Sequence, residues 1–146
     1  MVEVKFKRIH PDAVIPAKAT PGSFGYDVTA NNIISSHVPF QMLPGKVMYG
    51  LGFALEIPLG EGAFFLPRSS INKHYMLLAN SPGLGDPDYR GELKACFYYF
   101  SEELIYKPGE RVAQMVFLPD PEVEFVEVDE LSETSRGTGG FGSTGK

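Results

Sequence analysis

The chain contains one cysteine, Cys96. A lone cysteine excludes an internal disulfide and any zinc cluster built on thiolates. Positive charge is also scarce: 13 Lys plus Arg against 18 Asp plus Glu leave a formal charge of −5. A general nucleic-acid binder would carry a basic face, so stable nucleic-acid binding is not expected. No apolar run approaches the length of a membrane span. The opening Met-Val-Glu-Val-Lys-Phe lacks the pattern of a secretory signal. The expectation is a soluble protein with no membrane partner. Its place would be the cytoplasm, or the host-cell interior for a viral or phage protein. His10, His37 and His74 show no metal-ligand spacing, no internal repeat is evident, and helix signals are thin.

Turn residues are abundant instead. The 146 residues include 16 Gly and 12 Pro, above the usual combined share of roughly 12% but below the roughly 25–30% at which unpatterned disorder begins. With 43% hydrophobic residues, the chain has material for the core of a single domain.

Strand patterns dominate. Val2, Val4 and Phe6 alternate with charged residues. Lys46 to Ile57 is β-rich and stops at Pro58-Leu59-Gly60, and Gly62 to Leu66 ends at Pro67. In Leu93 to Phe100, the side chains Ala95, Phe97 and Tyr99 share one face while Cys96, Tyr98 and Phe100 share the other. A strand apolar on both faces belongs in a sandwich core or an interface. Val112 to Leu118 reads the same way. The turn clusters Thr20-Pro21-Gly22-Ser23, Pro44-Gly45, Ser81-Pro82-Gly83 and Lys107-Pro108-Gly109-Glu110 separate these runs. The pattern predicts an all-β sandwich or barrel. One short helix is expected within Ser69 to Leu78, capped by Ser69 or Ser70. From Val123 to Val128 the alternation slips, which predicts a bulge or an exit from the sheet. We divide the chain into a core, residues 1–128, and an arm, residues 129–146.

Five stretches carry chemistry. Asp27 lies in a short β run after a Gly-rich turn, where a turn-capping role is an alternative. Pro67-Arg68-Ser69-Ser70 places a guanidinium fork and two hydroxyls at a helix start, either a simple cap or an anion site. Gly83 to Glu92 crowds acids, an aromatic and glycines where the chain must reverse, so a hairpin is expected. Its acids either are solvated or serve as a base or a hard-cation ligand. Gln114 puts an amide on an apolar strand face and needs a partner, structural or functional. Finally, Arg136-Gly-Thr-Gly-Gly-Phe-Gly-Ser-Thr-Gly145 is either a flexible tail or a phosphate-wrapping arm whose Phe141 covers a flat ring.

Taken in order, Asp27, Pro67–Ser70, Asp86–Glu92, Gly109–Gln114 and Arg136–Gly145 resemble the five motifs of the trimeric dUTPase family (deoxyuridine triphosphate nucleotidohydrolases). The Asp-x-Asp-Tyr-x-Gly segment and the arm are the most specific. The resemblance implies a distorted, β-clip-like jelly-roll with little helix, a homotrimer with shared active sites, and a flexible arm closing over a neighbour's site. It implies hydrolysis of dUTP to dUMP and pyrophosphate, with Mg²⁺ on the triphosphate, limiting uracil in DNA and supplying dUMP for thymidylate synthesis. Asp86 then matches the base that activates water at the α-phosphorus. Asn80, with the backbone from Gly83, matches the uracil reader, and Tyr89 the ring that excludes a 2′-hydroxyl. Arg68, Ser69, Ser70 and Gln114 match phosphate contacts, and Asp27 the acid holding Mg²⁺ through water. On the arm, Arg136 matches a γ-phosphate contact and Phe141 the ring stacked on uracil; Gly142, Ser143 and Thr144 match phosphate contacts. Gly85 and Pro87 depart from the family pattern beside Asp86. A dCTP deaminase-like or bifunctional relative shares this fold but would need a catalytic Glu in place of Asp86. A regulatory binding protein on the same fold is the other alternative.

Overall fold

The computed structural model describes residues 1–37 and 44–140. In chain order its strands are β1 (Lys5–Arg8), β2 (Tyr26–Thr29), β3 (Asn32–His37), β4 (Gly45–Gly50), β5 (Phe53–Glu56), β6 (Glu61–Pro67), β7 (Met76–Leu78), β8 (Gly83–Gly85), β9 (Lys94–Tyr99) and β10 (Arg111–Pro119). Two four-stranded antiparallel sheets, ordered β2-β10-β6-β8 and β3-β4-β9-β7, are joined by the small β1-β5 pair. Helix among the described residues is limited to the 3-10 turns Ser69–Lys73 and Glu102–Leu104. The all-β expectation is borne out, and no helix of the described residues is long and apolar enough to cross a membrane.

One apolar cluster joins both large sheets. Val28, Phe65, Val112 and Met115 come from the first, and Val47, Tyr49, Phe97 and Tyr99 from the second. The alternation read in β9 explains its place. Ala95, Phe97 and Tyr99 point inward and are almost fully buried, whereas Tyr98 and Phe100 remain 40% and 62% exposed on the outer face. Lys107–Glu110 closes as a turn, with Glu110 N bonded to Lys107 O at 3.0 Å and Gly109 at φ +91°, a value a side chain would resist.

Three local expectations are corrected. The reversal between Leu78 and Leu93 is real, because β7 pairs antiparallel with β9. It is not a hairpin, however: β8 lies between them in sequence and pairs with β6 in the other sheet. Neither Ser69 nor Ser70 caps the 3-10 turn. Its N-cap is Arg68, in extended conformation, with no side-chain cap bond. The phase slip after Pro119 is an exit from the sheet, and Val123, Phe125, Val126 and Val128 are exposed. A register shift does occur in β10, but between Arg111 and Ala113 at its start.

Candidate active site: two half-sites on one chain

The first half-site follows from the central place of β10. Gln114 stands opposite Asp27 on β2 and opposite Leu66 on β6, while Ala113 stands opposite Pro67. Arg68 comes next in the chain, so an acid, an amide and a guanidinium from remote parts of the sequence become lateral neighbours. The Asp27 carboxylate accepts from Arg68 Nε at 2.8 Å and Nη2 at 3.4 Å, and from Arg111 Nη1 at 2.9 Å. Arg68 Nη1 also donates to Ser70 Oγ at 3.2 Å and to the Arg111 carbonyl at 3.4 Å. The fork is thus held in place before any ligand arrives. Gln114 Nε2 donates to the Pro67 carbonyl at 3.0 Å. That bond supplies the partner an amide on an apolar face requires. Its Oε1 lies over Gly25, where a Cβ would stand only 2.5 Å away. Asp27, Arg68, Ser69 and Gln114 line a cleft of about 460 Å³. Two guanidinium groups on one carboxylate leave local positive charge, which suits a polyanion.

The same contacts limit what cation the cleft can hold. Asp27 Oδ2 accepts from both arginines and Oδ1 from one. A carboxylate has about four lone-pair sites, so little is left for direct coordination. Among the described residues no three His, Cys, Asp or Glu side chains converge on a metal position. Asp27 therefore fits a hydrated ion that arrives on a triphosphate, since Mg²⁺ keeps several waters beside phosphate oxygens. It does not fit a resident ion in a protein cage.

The second half-site is a hollow of about 340 Å³ lined by Asn80, Gly83, Asp86 and Tyr89. Gly85 lets β8 close on β6: a Cβ there would meet Ala63 Cβ at 3.2 Å. Pro87 occupies the second position of a turn in which Tyr89 N bonds Asp86 O at 3.2 Å, a position whose φ proline already satisfies. Arg90 Nη1 donates to Pro87 O and, at 3.2 Å, to Tyr89 O. Tyr89 Oη donates to Glu92 O at 3.2 Å, and its ring covers Gly91 so closely that a Cβ there would lie 2.3 Å from the hydroxyl. The Asn80 amide packs against Gly83, with Nδ2 3.1 Å from where a Cβ would stand. Asp86 is exposed. Among the described residues nothing donates a hydrogen bond to its carboxylate.

The two half-sites of one chain do not meet. Gly85 is paired with Ala63, which puts Asp86 level with Gly62 near the start of β6. Arg68 lies six positions further along, about 20 Å away at ~3.3 Å per residue. Arg136 stands apart from both. Its Nε donates to Gly139 O at 2.8 Å inside a tight turn of the exposed tail. Phe141, Gly142, Ser143 and Thr144 lie outside the described residues. Sequence reasoning passed over Arg111 as a partner of Asp27. It also missed Tyr106, an aromatic before a Pro-Gly turn that nothing in the sequence separates from an ordinary core residue.

An antiparallel β-sandwich with a preset arginine cleft and a carboxylate presented on a rigid turn defines a phosphate-handling enzyme of the jelly-roll class. The particular family is shown by comparison. A family model described as dUTPase matches residues 12–145, and the chain belongs to the dUTPase family. It is 43% identical, over 95% of each chain, to deoxyuridine 5'-triphosphate nucleotidohydrolase from Hydrogenobaculum sp. strain Y04AAS1. Among solved structures, a variant of the Staphylococcus bacteriophage 80alpha dUTPase with dUpNHpp superposes with TM-score 0.80 at 23% identity over 99% of each chain. A variant of the dUTPase from the S. aureus phage phi11, described as coordinating a structural Mg(II) ion, gives TM-score 0.70 at 18% identity, covering 88% of this chain and 97% of the other. At those identities the two phage proteins speak for the jelly-roll fold alone.

Proposed function

We propose that this protein hydrolyses dUTP to dUMP and pyrophosphate at an active site assembled from neighbouring chains of a homotrimer. The observation that carries the assembly is the separation of the half-sites: Asp86 and Arg68 border β6 near its opposite ends. A single chain cannot place its own base beside the phosphorus its own arginine holds. A second chain must bring its Asp86 loop to the first chain's cleft. The apolar outer face of β9 and the exposed Val123–Val128 segment supply surface for such contacts.

In the assembled site, Asp86 accepts a proton from water and directs it at the α-phosphorus. Its exposed, unpaired carboxylate is available for that role. Arg68 and the hydroxyls of Ser69 and Ser70 receive charge that develops on the phosphate oxygens, and Gln114 bonds near the α-phosphate. When bound, Mg²⁺ carried by the triphosphate neutralises charge on its oxygens, and Asp27 faces that ion's water shell. Asn80 and the Gly83–Asp86 backbone read the uracil edge; a cytosine amine would leave buried groups unpaired. Tyr89, pinned to Glu92 O and laid over Gly91, presses on the sugar and leaves no room for a 2′-hydroxyl. Residues 129–146 act as an arm over the site, with Arg136 on the γ-phosphate, Phe141 on the base, and Gly142, Ser143 and Thr144 on phosphate. A nucleoside triphosphate substrate places the reaction in the cytoplasm or a host-cell interior.

Pyrophosphate release is the test, measured with dUTP, UTP, dCTP and dTTP, with and without Mg²⁺. Rapid release from dUTP alone among the four is expected. Ammonia release from dCTP, or equal use of UTP, would overturn the reading.

A further inference from the structure

Behind the arginine cleft lies a polar group with no partner. Tyr106 is only 2% exposed, and its buried hydroxyl makes no hydrogen bond. The ring is fixed. It stacks on His74 with centroids 3.9 Å apart at 32°, and lies 5.7 Å from Phe97. Its carbonyl accepts from Tyr49 Oη at 2.7 Å. His74 is the C-cap of the same 3-10 turn that begins at Ser69, so the ring backs directly on the Ser69–Ser70 segment. Burial raises the Tyr106 pKa above the ordinary tyrosine value, while a bond toward Ser70 and the Arg68 charge pull it the other way. Those two opposing influences identify the neighbours the hydroxyl faces.

We propose that Tyr106 is a positioning residue for the phosphate cleft: its hydroxyl donates to Ser70 Oγ and thereby turns the Ser70 proton toward a phosphate oxygen of the bound nucleotide. The argument is one of donor and acceptor capacity. A serine hydroxyl has one proton and two lone pairs. Arg68 Nη1 occupies one lone pair at 3.2 Å. Tyr106 occupies the other, and the only remaining capacity of Ser70 is donation, directed away from both partners. A hydroxyl that can only donate favours an anionic oxygen over any ligand atom that carries a proton. A buried unpaired hydroxyl is costly and calls for a reason. Closing its bond when the phosphate draws Ser70 into place supplies one.

The inference rests on the proposed phosphate role of the cleft, and its test separates the two. Tyr106→Phe removes the hydroxyl and keeps the ring on His74. We expect the KM for dUTP and the Kd for pyrophosphate, measured by calorimetry, each to rise about fivefold, the worth of one hydrogen bond. The value of kcat should change less than twofold and thermal stability should not fall. In a Ser70→Ala background the same change should have no further effect on binding. Unchanged KM and Kd, or an equal penalty without Ser70, would overturn the role of Tyr106. Wild-type protein that binds pyrophosphate but does not hydrolyse dUTP would overturn the functional reading, while the Kd comparison would still test Tyr106.

Discussion

The two half-sites are built in opposite ways. The Asp27–Arg68–Gln114 cleft draws on three adjacent strands and is tied by forked ion pairs and an amide-to-backbone bond. The Asp86 loop is a crossing between sheets, held mainly by its own backbone turn and by Tyr89 and Arg90 bonding back to nearby carbonyls. A binding surface for a charged group gains from preset donors, because orienting them costs nothing when the ligand arrives. A base that must take a proton gains from a carboxylate free of competing donors, whose lone pairs remain available.

The sharpest way to break this comparison is to disable each half separately. Asp86→Asn should lower kcat by about 10³-fold or more while dUpNHpp binding survives. Arg68→Ala should abolish binding. Mixing the two inactive proteins under conditions that exchange subunits should restore about a quarter of wild-type activity, because each site takes one residue from each of two neighbours. No recovery would place both residues of a working site on one chain. Next in size, removal of residues 136–146 should leave a folded protein of unchanged oligomeric state with activity down about 10²-fold, as pyrophosphate release and light scattering will show. A fully active truncation would remove the arm from the mechanism.

Asp27→Asn tests the preset cleft. It leaves two guanidinium groups facing each other with one charge partner gone. With Asp27 and Arg68 largely shielded (side chains 12% and 22% exposed), a loss of about 2 kcal/mol in urea unfolding is expected, along with weaker pyrophosphate binding. The smallest effect should come from Gly91→Ala. The added Cβ pushes Tyr89 aside without touching the base, so dUTP turnover should fall only severalfold while UTP use rises relative to it. Unchanged discrimination would free Tyr89 from the sugar role.

What was legible in the sequence tracks how local the cause is. β9 announced both of its faces because six alternating residues record a period of two. Its inward set is buried as read. The Lys107–Glu110 turn was legible because Pro and Gly stand where the backbone needs them. β8 was not legible: Gly-Leu-Gly carries no period, and its pairing with β6 depends on Ala63 leaving room for Gly85. Asp27, Arg68 and Gln114 were each singled out, but what ties them together is the register of β10, and no local pattern encodes register. Gly25 and Gly91 were counted among turn or ligand-approach glycines. Their close neighbours are side chains of this same chain, Gln114 and Tyr89.

The length of β6 has a consequence for regulation by abundance. A strand that holds the two half-sites apart makes each newly synthesised chain inert by itself. On the proposed assembly, hydrolysis begins only when three copies meet, so at low expression the rate climbs with about the third power of chain concentration. A cell or phage that halves synthesis in that regime silences the enzyme far more than twofold, with no inhibitor involved.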